Sequence, residues 1–172
     1  MPRGFFGPLA FAGMLSLLLF LTSPFQPTGP YELFGFWGAG ITAGLIIGTM
    51  LVAKKWIPDF GGAVLMTTFF ILLMTIGLSE QIAPGVNVPP HAHAPAWLTV
   101  FAVLIPALWV DLAKRIPMII IGIVAGILYG VILYGFSSQF FEPAFQYSFD
   151  SMFIAIVASA IGGLGAGFFA KE

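Results

Sequence analysis

Apolar runs at about 6–23, 33–53, 60–79, 96–113, 117–136 and 151–170 fill most of this 172-residue chain and constrain its fold more than any other feature. A helix needs about 20 apolar residues to cross the ~30 Å hydrocarbon layer of a bilayer. Each run approaches that length and is continuous rather than alternating. A membrane barrel needs alternation along its strands, which leaves helices as the spanning form. The composition agrees, with 59% hydrophobic and 8% charged residues, against roughly 25% charged in a soluble domain. The chain is therefore expected to be an all-α integral membrane protein, one polytopic domain over 1–172 built as a bundle of about six transmembrane helices. The first 23 residues place Arg3 ahead of an apolar core, as a signal peptide does. No A-x-A cleavage site follows, and the segment reads as a retained first span.

Orientation follows from the cations. With six spans, Arg3, Lys54, Lys55, Lys114, Arg115 and Lys171 all fall on one side. The positive-inside rule then predicts a multi-pass protein of the cell membrane with both termini cytoplasmic and loops 24–32, 80–95 and 137–150 outside. Those loops hold Glu32, Glu80, Glu142 and Asp150 without a lysine or arginine. Two readings are open: the acidic rim is what charge sorting leaves behind, or it attracts a metal ion or other cation. The net charge of −1 argues against a nucleic-acid partner. The chain has no cysteine, which removes disulfides, iron–sulfur clusters and thiolate zinc sites.

Small residues recur every fourth position at Gly40, Gly44 and Gly48, at Gly122, Gly126 and Gly130, and at Ser159, Gly163 and Gly167. Lipid offers no hydrophobic drive for helices to associate, so close approach at small residues supplies the packing. These faces suit interior packing, and also docking onto other membrane subunits. Pro106 lies within the fourth run and is expected to kink it. Trp37, Trp56, Trp97, Trp109, Tyr129 and Tyr134 fall mostly near run ends, as interfacial aromatic belts do. The segments at 52–58 and 112–117 share an Ala-Lys-Lys/Arg turn followed by proline, read as common turn chemistry at a helix start.

Chemistry concentrates in residues 80–115. His91 and His93 are the chain's two histidines, one residue apart among Pro89, Pro90 and Pro95. Prolines favour extended backbone, and an extended H-x-H can turn both rings to one face. Imidazole suits copper, zinc and iron. The candidate metal ligands are thus His91, His93 and Glu80, with Glu142, Asp150 or a partner chain completing the shell. The plainer reading makes the histidines polar loop residues. Asp111 ends an apolar run, where a carboxylate is costly and often functional. Its structural reading is an on-helix ion pair with Lys114 and Arg115 at i+3 and i+4. No Walker A loop, G-x-S-x-G or H-E-x-x-H motif is present, and catalytic residues stay unassigned.

From Trp56 onward the order of features resembles the A subunit of the membrane copper monooxygenases, the particulate methane and ammonia monooxygenases. The resemblance is carried by Ile57-Pro58 with Gly62-Ala63, then Glu80 and the proline-rich loop. Ile105-Pro106-Ala107 with Asp111-Leu112 follow, and then Gly122, Gly126 and Tyr129-Gly130. It spans about two-thirds of the chain. In that family the copper sites lie largely on sister subunits. The resemblance implies a subunit of a multi-subunit oxidoreductase that scaffolds a membrane-embedded oxidation site for a small substrate, with copper held mainly by partners. It assigns no catalytic role to this chain. Two other readings stand beside it. One is a small transporter or the substrate-binding component of an uptake system, the other an accessory subunit of a respiratory or photosynthetic complex.

Overall fold

The computed structural model describes residues 6–21, 35–58, 61–75, 96–136 and 148–171, and these are all helical or in short turns. In chain order the helices are α1 (Phe6–Leu21), α2 (Gly38–Trp56), α3 (Gly62–Thr75), α4 (Ala96–Leu112), α5 (Met118–Gly130) and α6 (Phe149–Ala170). A 3₁₀ turn, Gly35–Trp37, leads into α2, and a π-helical turn, Val131–Gly135, extends α5. Three of these helices, Gly38–Trp56, Met118–Gly135 and Phe149–Ala170, are long and apolar enough to cross a membrane. Phe6–Leu21, Gly62–Thr75 and Trp97–Leu112 are shorter apolar helices. The remainder of the 60–79 run, from 76 on, lies outside the described residues, as do loops 24–32 and 80–95 and all of 137–150 before Ser148.

Contacts between the helices fix their directions. On α6, Ala158, Gly162 and Ala166 face Gly40, Gly44 and Gly48 of α2 in ascending order, so these two helices run parallel. The adjacent stripe of α6, Ser159, Gly163 and Gly167, meets Gly130, Gly126, Gly122 and Met118 in descending order, so α5 runs antiparallel to it. Two stripes one residue apart lie about 100° apart on a helix, and α6 thereby wedges between α2 and α5. A β-carbon on Gly163 would collide with the backbone carbonyl of Gly122, and one on Gly162 with that of Gly40. All three small-residue stripes visible in the sequence are engaged inside the chain. The second stripe of α6 stood out less because alanine supplies two of its three members.

The outer helices attach by other means. Phe11 of α1 stacks at a tilt on Trp56, with ring centroids 6.0 Å apart, which puts the start of α1 beside the end of α2. The Ser16 hydroxyl lies 2.7 Å from the carbonyls of both Ala12 and Met66, joining α1 to α3 within the apolar core. Pairing with a neighbouring carbonyl keeps the cost of burying that hydroxyl small. Consecutive helices alternate in direction, and the ends of α2, α4 and α6 gather with the starts of α1, α3 and α5. Lys54, Lys55, Lys114, Arg115 and Lys171 all belong to that end of the bundle.

Several local expectations change. The second helix starts at Gly38 and continues through Lys54 and Lys55 to Trp56, where the apolar pattern suggested 33–53. Its last turn persists because the Lys54 side chain has partners on α4. Pro106 lies inside α4, which is helical from Ala96 to Leu112. Trp37, Trp56 and Trp97 are exposed at helix ends, as a belt requires, but Tyr129 and Tyr134 are fully buried. Their rings meet edge to face at 6.4 Å, with the π-helical turn carrying Tyr134 back into the core. One extra residue in that turn rotates the positions after Gly130 relative to a regular helix. A belt position by sequence thereby becomes a core position.

Candidate functional site

The expected metal ligands His91, His93 and Glu80, with Glu142, lie outside the described residues. Asp150 is described: it sits in the first turn of α6, behind a Ser148 cap whose hydroxyl accepts from the Ser151 N–H at 3.2 Å. An acid there complements the positive end of the helix dipole. Helix α6 is 22 residues long, which places Asp150 roughly 30 Å from Lys171. Among the described residues no three of His, Cys, Asp or Glu come together to hold a metal. The described residues by themselves supply no metal cradle.

The polar chemistry that the described residues do assemble is at the cationic end, around Asp111. Helix α3 begins on Gly61-Gly62, where no side chain is available to cap the first amides. Asp111 takes that place from the last turn of α4, accepting from the Ala63 N–H at 3.2 Å and the Val64 N–H at 2.9 Å, one carboxylate oxygen for each. This is the bonding of an N-cap, delivered from another helix. Gly61 has a φ of 62°, in the left-handed region, and a β-carbon there would stand 3.2 Å from the Asp111 Oδ2. Glycine meets both demands, the turn and the close carboxylate. The ion pair expected between Asp111 and Lys114 or Arg115 is not formed. Helix α4 stops at Leu112, so Lys114 and Arg115 lie in the following turn and lose the i+3, i+4 geometry.

Lys54 completes the arrangement. Its ammonium donates to the carbonyl of Val110 and, at 2.8 Å, to that of Ala113. The end of α4 leaves such carbonyls without helical partners, and a cation also complements the negative end of the dipole. Asp111 attracts the same ammonium electrostatically. The end of α4 thus receives a cation from α2 and sends an anion to α3, tying three helices at one level. Trp109 extends the tie to α5, its indole Nε1–H donating to the Ile121 carbonyl at 3.3 Å. Each of these groups is occupied in holding helix ends.

Sequence reading missed the Lys54 caps, the Gly61 turn and the Trp109 bond. One signal was present: a helix that starts on two glycines needs an acceptor from elsewhere. Thr42 and Thr67 were also passed over. Both hydroxyls are buried with no hydrogen-bond partner among the described residues, one on α2 and one on α3.

Two segments singled out in the sequence, Gly62-Ala63 and Asp111-Leu112, meet at one level of the bundle. Ile57 and Gly62-Ala63 stand at the start of α3, and Asp111 bonds to that start. Comparison with family models, with curated proteins and with solved structures finds no match.

Proposed function

We propose that this chain is a membrane-spanning scaffold subunit of a multi-subunit oxidoreductase, of the kind represented by the A subunit of the copper-dependent methane and ammonia monooxygenases. Its role is to shape a membrane-embedded region where a small, weakly polar substrate is oxidised. Copper, in this reading, is held mainly by partner subunits, with His91, His93 and Glu80 bordering or completing the site. The helix ends that carry cations face the cytoplasm, and the histidine loop faces outward.

The observation that carries the reading is the Asp111 cap on α3. It joins the two most distinctive pieces of the resemblance, the proline–glycine–alanine helix start and the acidic helix end, into one structural unit. A role in architecture also suits the charged residues. Among the described residues, charges stand at helix ends, and Lys54 and Asp111 are spent on neighbouring backbone. An ion-coupled transporter handles its ions near mid-membrane, a placement that no described charge occupies. The small-residue stripes are engaged within the chain, so partner subunits would dock on the outward faces of the bundle.

The test is purification from native membranes in gentle detergent, with metal analysis and mass spectrometry on one fraction. Copper together with firmly held membrane partners supports the proposal. A solitary, metal-free chain overturns it and favours the uptake-system reading.

A further inference from the structure

We infer that the cationic end of the bundle is a binding surface for anionic phospholipid headgroups, centred on Lys55, Lys114 and Arg115. This rests on the reading of the chain as a membrane protein, and it holds for whichever leaflet that end meets. The three side chains are exposed, and the structure brings them together. Lys54 reaches the Ala113 carbonyl, so the end of α2 adjoins the turn that bears Lys114 and Arg115. On the other side of that turn, Gly167 packs against Met118 and Ile119, which brings the last turn of α6 and Lys171 alongside.

In the sequence the cations next to these helix ends outnumber the acids, Asp59 and Glu172 included, which favours an external anion. Asp111 is the acid that the described residues place at this end, and both of its oxygens are engaged by the Ala63 and Val64 amides. Lys54 is engaged by the Val110 and Ala113 carbonyls. Lys55, Lys114, Arg115 and Lys171 take no part in that knot. The surface is also held in shape, because Lys54 grips one side of the turn and the Trp109–Ile121 bond ties α4 to α5 behind it. Large apolar groups flank the cations: Trp56 is 67% exposed, Leu112 74% and Phe169 80%. Phosphate-binding cations with exposed apolar neighbours match a molecule that has an anionic head and acyl chains. A juxtamembrane cation near an anionic surface contributes about 1 kcal/mol, or about fivefold in affinity.

The experiment uses the full chain. It is first reconstituted into phosphatidylcholine vesicles and floated on a density gradient. It is then transferred to micelles doped with equal phosphatidylglycerol and phosphatidylcholine, and the retained lipids are counted by native mass spectrometry. Wild type is expected to retain phosphatidylglycerol in several-fold excess, and the excess should shrink as salt is raised. The variant K55Q/K114Q/R115Q should lose the excess while its helical circular dichroism is unchanged. Should that triple variant fold poorly, K55Q and R115Q singly should each shrink the excess without abolishing it. Flotation with equal retention of the two lipids overturns the inference alone. An excess that survives the substitutions also overturns it. A chain that fails to float overturns it together with the membrane reading.

Discussion

The carboxylate of Asp111, one residue before the end of α4, accepts a hydrogen bond from the backbone N–H of Val64 in the first turn of α3 at 2.9 Å. Through this bond a residue 47 positions away in the chain acts as the missing cap of a helix that starts on glycine. Substituting Asp111→Ala should therefore destabilise the protein by about 1–3 kcal/mol, because two first-turn amides lose their acceptor in a half-buried place. Asp111→Asn keeps one acceptor and should cost about 1 kcal/mol. Thermal unfolding in detergent, followed by circular dichroism, gives the comparison. Equal loss in the two variants would mean that charge, rather than capping geometry, is what Asp111 supplies.

Lys54 and Lys55 are neighbours with different work. Lys54→Met should lower stability by about 1 kcal/mol through the exposed ends of the Val110 and Ala113 carbonyls. Lys55→Met should stay within about 0.5 kcal/mol of wild type. The Lys54→Met and Asp111→Ala effects should not add, since the two charges attract each other across the end of α4. Additivity in the double variant would show that the caps act independently.

Glycines on α6 should divide sharply by position. Gly163→Ala pushes a methyl into the Gly122 carbonyl and should cost at least about 1–3 kcal/mol. Gly165→Ala meets nothing within 4 Å and should be neutral or slightly stabilising, since alanine is the better helix former by about 1 kcal/mol. Unfolding midpoints of the two variants, measured side by side, check both the packing and the register of α5 on α6.

Thr67 offers the opposite kind of change. Its hydroxyl is buried on α3 with no partner among the described residues, and a lone buried hydroxyl costs about 1–3 kcal/mol. Thr67→Val keeps the shape and removes the polar atom. The variant should be as stable as wild type or more so, and a clear loss would reveal a partner for that hydroxyl.

If His91 and His93 help to hold copper, His91→Ala and His93→Ala should each lower the metal content of the purified complex. Asp111→Asn, at the cationic end of the bundle, should leave metal content unchanged. Metal analysis normalised to protein reads this directly, and unchanged copper in both histidine variants would restrict the metal to partner subunits.

Much of this architecture was legible in the residue order. Continuous apolar runs separated by short polar segments allow little besides helices, since backbone amides inside lipid must bond within their own segment. The number of helices, their approximate bounds and the glycine stripes at Gly40, Gly122 and Gly163 follow from period and composition alone. The gathering of lysines and arginines at one end of the bundle follows as well, because an even alternation of helices puts every second connection together.

What each polar group does was decided by tertiary structure. Asp111 looks like the partner of Lys114 and Arg115 because they are near in sequence, but the helix ends between them and α3 presents amides instead. Lys54 and Lys55 are equivalent in the sequence, yet α4 stands beside only one of them. Tyr134 looks interfacial until the π-helical turn rotates it inward. Helix formation depends on neighbours three and four residues away, which a sequence displays. Hydrogen bonds between helix ends depend on which ends packing brings together, and that follows from the whole bundle.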